Sequence, residues 1–276
     1  MTSLKQIAGS MIVIGIILAI IGYVSGGKWS IAVNNTGIYV PNEQSLVTNS
    51  YELDAFTSIN IDNEHVDVEI LPSDSYSIEV SSFETTDVSY EVKGRTLTVA
   101  TKYTKNNAIL LGFTSFKTPS IKIYVPKDTK LSNIALDSSF GDVNLEHLNF
   151  QQLNLIVRHG DLSMKDIVAG HTEITQSFGD VSLRQFSSTS FTAESEHGDI
   201  DIDGELNGKS TFDSSFGDID LQLLNKESEL GLDLNMNFGE ISFNDQSIEG
   251  DFSQSHNGDN QLQVSLSHGD LDLSLK

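Results

Sequence analysis

Phe140-Gly141-Asp142-Val143 is the first of seven related tetrapeptides in the C-terminal half of the chain. Each combines Phe or His with a glycine, an acidic residue and an aliphatic residue, in that order. The first five recur with an even 19-residue spacing, and the last two follow at wider spacings. The other six are His159-Gly160-Asp161-Leu162, Phe178-Gly179-Asp180-Val181, His197-Gly198-Asp199-Ile200, Phe216-Gly217-Asp218-Ile219, Phe238-Gly239-Glu240-Ile241 and His268-Gly269-Asp270-Leu271.

Three apolar columns accompany this repeat. A unit of strand, Gly-Asp turn and strand cannot bury its own apolar face and must stack on its neighbours. The repeat therefore predicts a parallel β-solenoid over residues 131–276. The first column lies five residues before each glycine and contains Leu136, Leu155, Ile174, Ala193, Phe212, Leu234 and Val264. The second lies two residues after it and contains Val143, Leu162, Val181, Ile200, Ile219, Ile241 and Leu271. The third lies four residues after it and contains Leu145, Met164, Leu183, Ile202, Leu221, Phe243 and Leu273.

The length of one coil is open between two values. The residue before the glycine alternates Phe, His, Phe, His, Phe along the five evenly spaced units. A 19-residue coil would mix the two rings in one ladder, whereas a 38-residue coil of two units would stack Phe on Phe and His on His. We favour the 38-residue coil, because equivalent sites then carry equivalent side chains.

An apolar segment lies near the N-terminus. From Ile7 to Val24 the chain carries no charge, and as a helix this segment spans about 27 Å, close to the ~30 Å hydrocarbon core of a bilayer. Residues 7–24 therefore predict a single-pass transmembrane signal anchor in the cell membrane. Residues 1–6, which include Lys5, would be cytoplasmic and the C-terminal remainder extracytoplasmic. Cleavage as a secretory signal, which would release the protein, is the alternative.

Two further regions separate this segment from the repeats. Residues 25–50 are polar and rich in turn formers, which predicts an extracytoplasmic stalk. Residues 51–130 show alternation with period two, as in Ile59 and Ile61 or in Ile121, Ile123 and Val125. Alternation of this kind is typical of half-buried strands. We therefore predict a β-strand lead-in domain and an all-β fold beyond the membrane segment.

The order of these regions resembles a known bacterial family. A membrane segment, strands ending in Ile121-Lys122-Ile123-Tyr124-Val125-Pro126 and then serial Gly-Asp turns are similar to the putative-adhesin β-strand-repeat family, DUF4097, seen in Lia-type cell-envelope-stress proteins. The resemblance covers residues 50–276. It implies a right-handed β-helix-like surface domain without catalytic residues, associated with the cell envelope.

Charge and composition exclude several classes of function. The chain carries 16 Lys and Arg against 39 Asp and Glu, a formal net charge of −23, and 20 of those charges fall in residues 131–276. Phosphate backbones need clustered Lys and Arg, so a nucleic-acid partner is excluded. The lack of Cys excludes disulfides, thiolate metal sites and a cysteine nucleophile. A basic partner, or one not recognised by charge, is expected.

The repeated aspartates are the first candidate site. Stacked coils lie ~4.8 Å apart, so these carboxylates should form a ladder of repelling charges. We expect each Asp to cap its own turn by accepting the backbone N–H two residues on, while the glycine supplies a positive φ. Calcium is the alternative, because it prefers carboxylate oxygens. The candidates are Asp142, Asp161, Asp180, Asp199, Asp218 and Asp270, and the turn glycines are Gly141, Gly160, Gly179, Gly198, Gly217, Gly239 and Gly269.

The histidines and the enzyme motifs give weaker signals. His159, His197 and His268 could bind a transition metal or respond to pH near about 6.5, but incidental surface histidines are favoured. No nucleophile elbow, Walker loop, HExxH motif or Rossmann glycine set is present. We expect no catalytic residue, no enzyme activity and no cofactor.

One apolar run interrupts the acidic background. It is either an exposed loop that contacts a partner or the membrane surface, or a buried strand, and the buried strand is slightly favoured. The run consists of Ile109, Leu110, Leu111, Gly112 and Phe113, with Lys102, Lys105 and Lys117 on its flanks.

These features together predict a function class. We expect a membrane-anchored, extracytoplasmic, non-catalytic module that binds an envelope or surface protein, in the manner of an adhesin, and that acts in the envelope stress response. A structural protein that self-assembles through a terminal coil is the alternative. A polysaccharide-active β-helix enzyme is the least favoured class, because Arg occurs only three times.

Overall fold

The computed structural model describes residues 4–25, 30–34, 37–39, 46–83, 86–103, 109–112 and 118–276. These residues contain the helix α1 Leu4–Val24, a 3₁₀ turn at Glu227–Glu229 and 23 strands. The strands are β1 Ser30–Asn34, β2 Gly37–Tyr39, β3 Val47–Glu52, β4 Ser58–Asn63, β5 Asp67–Ser73, β6 Ser77–Ser82, β7 Thr86–Lys93, β8 Thr96–Tyr103, β9 Ile109–Gly112, β10 Ser120–Pro126, β11 Lys130–Ser138, β12 Val143–His159, β13 Leu162–Phe178, β14 Val181–His197, β15 Ile200–Leu206, β16 Lys209–Phe216, β17 Ile219–Leu223, β18 Gly231–Phe238, β19 Ile241–Phe243, β20 Gln246–Ile248, β21 Phe252–Gln254, β22 Gln261–His268 and β23 Leu271–Leu275.

The chain forms two compact units. The first comprises residues 1–45 and 105–117 and contains α1 and a three-stranded antiparallel sheet in the order β2-β1-β9. The apolar side chains of α1 are exposed from Met11, at 68%, to Val24, at 79%. Among the described residues, no helix combines the length and the apolarity that crossing a membrane requires.

The apolar run at residues 109–113 lies partly in this sheet. Residues 109–112 form β9, which pairs with β1 so that Ile109 lies opposite Val33 and Leu111 lies opposite Ile31. The backbone of Ile109, Leu110 and Leu111 is therefore a strand, and Phe113 lies outside the described residues. The segment predicted as a stalk contains β1, β2 and the start of β3.

The second unit, residues 46–104 and 118–276, contains the parallel β-solenoid predicted for residues 131–276. Successive strands pair in parallel with a 19-residue shift, since Val143 lies opposite Leu162 and Leu162 lies opposite Val181. Each coil therefore corresponds to one repeat unit, and the favoured 38-residue coil is wrong. Every residue of the three apolar columns is buried, and the most exposed of them, Phe243, reaches only 9%.

Strands β3 to β8 and β10 of this unit join the same core at one end of the solenoid. β11 pairs in parallel with β4, and the first three residues of β12 pair in parallel with β5. β8 pairs in parallel with β4, and β10 pairs in parallel with β5. The remaining strands pair in antiparallel fashion: β7 with β8, β6 with β10 and β3 with β6. The lead-in strands thus continue the hydrophobic core of the coils, as shown by Ile59, Val68 and Ile123, which are all fully buried.

At the other end, the coils do not follow the order of the chain. β22 lies between β16 and β18, and β23 lies between β17 and β19. The coil formed by β22 and β23 is therefore the last but one in space. The end coil consists of β18 and β19, and its outer edge is covered by the short antiparallel strands β21 and β20.

Two further Gly-Asp dipeptides, Gly250-Asp251 and Gly258-Asp259, occur between β20 and β22. Neither of them begins a coil. Gly250 precedes β21, and Gly258 lies between β21 and β22. The carboxylate of Asp251 instead accepts the backbone N–H of Met236 at 3.1 Å, which helps to fasten the cover to the end coil.

Candidate functional site

The Gly-Asp turns form one corner of the solenoid, where a positive φ is required. All seven turn glycines have φ between 113° and 142°. Coils also approach closely here: a Cβ atom on Gly179 would lie 2.1 Å from the carbonyl oxygen of Gly160. The predicted reason for glycine is therefore correct, and close packing of coils is a second reason.

The aspartates form a continuous ladder along this corner, but their bonding partner differs from the predicted one. Asp142 Oδ1 accepts the backbone N–H of Asp161 at 2.9 Å, and Asp161 Oδ1 accepts that of Asp180 at 3.0 Å. The accepted N–H thus belongs to the equivalent residue one coil away, rather than to a residue of the same turn. Eight residues in spatial order make up this acidic corner: Asp67, Asp142, Asp161, Asp180, Asp199, Asp218, Asp270 and Glu240.

Asp67 was missed at the sequence level. It accepts the N–H of Asp142 at 3.0 Å and so begins the ladder. Its surroundings, His65-Val66-Asp67-Val68, match the repeat except that Val66 replaces the glycine. The His and the Asp-Val pair carried a usable signal, but the separation of 75 residues between Asp67 and Asp142 hid its relation to the repeat.

The residues before the glycines form a stack of rings beside the acidic corner. Adjacent ring centroids are 4.5 to 5.1 Å apart, with interplanar angles of 12 to 22°. His and Phe alternate through the whole stack, because the inserted C-terminal coil places His268 between Phe216 and Phe238. In spatial order the ring stack is His65, Phe140, His159, Phe178, His197, Phe216, His268 and Phe238.

The alternation has consequences for metal binding. A Phe ring separates each pair of successive histidines, so two imidazoles lie two coils, roughly 9.6 Å, apart. Each aspartate also commits one oxygen to an N–H, whereas calcium takes about six to eight oxygen ligands. Within the described ranges, no group of three or more His, Asp or Glu side chains is placed to hold a metal ion.

The acidic corner is largely open to solvent. Its aspartates from Asp142 to Asp270 are exposed, as is Glu240, and Asp67 is half-buried. Burial raises the pKa of Asp67, while the N–H donated by Asp142 acts in the opposite direction and the charge of Asp142 adds to the rise. The neighbouring Phe rings are about half exposed, for example 45% at Phe178. The corner therefore presents carboxylates beside ring edges.

A second acidic column lies on the strands that follow the corner. Asp201, Asp220 and Asp272 occupy equivalent positions in three adjacent coils. Burial raises the pKa of Asp220, and the charges of Asp201 and Asp272 raise it further. Arg184 pairs with Asp201 and partly offsets this charge. This column adds negative charge to the same part of the solenoid.

These features define the class of protein: a parallel β-solenoid with an exposed acidic and aromatic corner. The family model Toastrack DUF4097 matches residues 56–274, and the chain therefore belongs to the Toastrack DUF4097 family. No curated protein shows significant similarity to the chain.

Three solved structures are similar to the chain at low identity, and the first of them reaches a TM-score above 0.5. A "putative adhesin" from Bacteroides fragilis NCTC 9343 is 17% identical over 83% of this chain and 98% of its own, with a TM-score of 0.51. A "putative lipid binding protein" from Parabacteroides distasonis ATCC 8503 is 16% identical over 84% and 97% of the two chains, with a TM-score of 0.44. A "putative cell adhesion protein" from Clostridium sporogenes ATCC 15579 is 13% identical over 84% and 100%, with a TM-score of 0.41.

Proposed function

We propose that this chain is a non-catalytic binding module, anchored in the cell membrane and displayed outside the cytoplasm, whose acidic corner binds a basic partner protein. The observation that carries the proposal is the ladder of eight acidic side chains, of which all but Asp67 are exposed. A regular row of carboxylates on a rigid β-scaffold attracts clustered Lys and Arg and repels anionic polymers. The aromatic edges of the ring stack provide apolar contact area beside this charge.

The membrane anchor rests on α1. Its exposed side chains are almost all apolar, and an apolar helical surface is stabilised when lipid or protein covers it. The cytoplasmic placement of residues 1–6 rests on the positive charge ahead of the apolar segment. If α1 is a retained anchor, the full-length protein stays in the membrane pellet after alkaline carbonate treatment. A soluble protein shortened at its N-terminus would support signal cleavage and contradict anchoring.

An envelope-stress role and an adhesin-like partner are the finer parts of this proposal. Both come from the family resemblance, and the acidic corner is compatible with either. The polysaccharide-active class has little support, since such enzymes need carboxylates facing across a cleft that holds the sugar. At the acidic corner the carboxylates instead form a row along an exposed edge.

A charge-neutral variant tests the binding role of the acidic corner. In the triple variant Asp161→Asn, Asp180→Asn and Asp199→Asn, each side chain keeps an oxygen that can accept the next coil's N–H, so the fold should survive. Loss of three surface charge contacts of about 0.5 kcal/mol each predicts roughly tenfold weaker binding. Binding to immobilised polylysine is measured first. Crosslinking in living cells then measures binding to the partner protein that is captured.

The matched control removes the same charge from another face. Glu173→Gln, Glu194→Gln and Asp213→Asn lie on exposed, outward positions of β13, β14 and β16. This control should bind almost as well as the unmodified chain. Equal weakening in both variants would show a general effect of net charge and would refute a specific role of the acidic corner.

A further inference from the structure

The order of the last coils along the chain differs from their order in space. The chain completes β16 and β17, then the end coil of β18 and β19, and only then the coil of β22 and β23. In space this last coil lies between the two earlier ones. Residues 261–275 therefore occupy a slot whose two walls are formed by earlier parts of the chain.

The slot fits its occupant on both walls. Leu262 lies opposite Ser210 on one wall and opposite Leu232 on the other, in parallel pairing on each side. The N–H of Asp270 is accepted by Asp218 Oδ1 at 2.8 Å, and Asp270 Oδ1 accepts the N–H of Glu240 at 2.9 Å. The inserted coil thus completes the strand ladders and the acidic corner.

The two walls also match each other. Ser210 and Leu232 both lie opposite Leu262, and Phe216 and Phe238 both lie opposite His268, so β16 and β18 share one register. They could pair directly if the inserted coil were absent, at the loss of the His ring between the two Phe rings. The same strands therefore have two possible arrangements: β16 pairs with β18 directly, or each pairs with β22 once residues 261–275 have inserted between them.

The connection to the inserted coil is long and contributes little to the core. Residues 244–260 hold only the two three-residue strands β20 and β21, and most of these residues are exposed. Fully extended, this connection reaches roughly 56 Å, far enough to enter a neighbouring molecule. No Cys exists to fix the segment covalently.

We propose that residues 261–275 are exchanged between two copies of the chain, each copy filling the other's slot. Exchange of an identical element keeps every contact of the closed molecule, so it requires little free energy beyond association. A second copy is the occupant proposed, because its residues 261–275 carry the same Leu262, His268 and Asp270 that fit both walls of the slot. This proposal is independent of the basic partner at the acidic corner.

The lack of natural Cys makes a direct test possible. Two full-length, differently tagged variants are co-expressed, one carrying Thr211→Cys and the other Gln263→Cys, and the cells are then oxidised. Positions 211 and 263 are paired in adjacent coils. Exchange predicts a disulfide-linked heterodimer that contains both tags. A single chain with both substitutions shows that the geometry permits the disulfide.

The control pair uses neighbouring coils in the middle of the solenoid. Asn154→Cys and Glu173→Cys are also paired and exposed, but neither lies on a terminal element. The exchange pair should give severalfold more heterodimer than this control. A second pair, Asp233→Cys with Gln263→Cys, probes the opposite wall and replaces the first if that variant misfolds. Heterodimer at or below the control level for both pairs would overturn the proposal.

Discussion

The turn glycines combine two demands that are separable by mutation. Gly179 has a φ of 122°, and an added Cβ would lie 2.1 Å from a backbone oxygen of the previous coil. Gly94 also has a positive φ, of 59°, but nothing lies within 4 Å of the Cβ position. Comparing the two positions separates backbone strain from steric conflict between coils.

Gly179→Ala should destabilise the solenoid much more than Gly94→Ala. Strain alone costs about 1–2 kcal/mol for a side chain in the left-handed region. Displacement of a stacked coil adds to this at Gly179, so we expect a loss of more than about 3 kcal/mol there. Urea unfolding of both variants measures the difference. Equal losses would show that the coils do not pack as closely as the structure indicates.

At this scale the sequence predicts conformation better than hydrogen bonding. The glycine turns and the buried column positions follow from period and polarity, because burial repeats in every unit. The hydrogen-bond partner of each aspartate does not follow from the repeat, because the carboxylate of Asp142 can accept either a local N–H or that of Asp161. The spacing between coils determines which of the two bonds forms. Asp67 was not predicted, because its copy of the repeat lacks the glycine and lies outside the 19-residue spacing.

At the level of the element, the ring stack explains why Phe and His alternate. Stacking like on like would place imidazoles ~4.8 Å apart, and two protonated rings would then repel by about 0.8 kcal/mol in water. A Phe between them doubles the distance and gives His159, His197 and His268 a ring face on both sides. The 38-residue interpretation failed because it considered equivalence of sites and not the charge that His can carry.

Phe178→His tests this explanation. The variant places three imidazoles in succession, from His159 to His197, so stability should fall by about 1–2 kcal/mol when pH drops below about 6.5. At pH near about 8, above the range in which histidine side chains ordinarily gain a proton, the loss should be small. Thermal unfolding across this pH range is the measurement. His197→Phe, which adds no charge, is the control, and an equal acid response in both would contradict the explanation.

The acidic column at Asp220 gives a pH effect of the opposite sign. Because burial and the charges of Asp201 and Asp272 raise its pKa, the folded chain binds a proton at Asp220 more readily than the unfolded chain. Stability from this group therefore rises as pH falls through its folded pKa, and is lost at neutral pH.

Asp220→Asn should accordingly stabilise the fold at neutral pH. We expect a gain below about 1 kcal/mol, because the side chain is partly solvated. The gain should vanish when the pH falls below about 3.8, where the aspartate is protonated in both states. Asp213→Asn, exposed on another face, serves as the control in urea titrations at both pH values. A destabilised Asp220→Asn at neutral pH would show that its charge is needed.

At the scale of the whole molecule, the order of the coils could not be predicted. The wider spacings that precede Gly239 and Gly269 show an irregular end, but Phe238 and His268 fit equally well as consecutive coils. The choice depends on pairing between segments far apart in the chain, which local pattern does not encode. Insertion restores the His and Phe alternation in space, so the ring order was a usable clue to it.

The charge of the molecule leads to a final prediction about salt. The chain has a net charge of −23, and the acidic corner stacks like charges one coil apart, so repulsion opposes folding. Raising the ionic strength from about 0.01 M to about 1 M shortens the screening length from about 30 Å to about 3 Å. The melting temperature should therefore rise with sodium chloride. The triple variant Asp161→Asn, Asp180→Asn and Asp199→Asn has already lost part of this repulsion, so its rise should be smaller. A rise as large as that of the unmodified chain would place the repulsion elsewhere on the molecule, and a fall would mean that attractive ion pairs dominate.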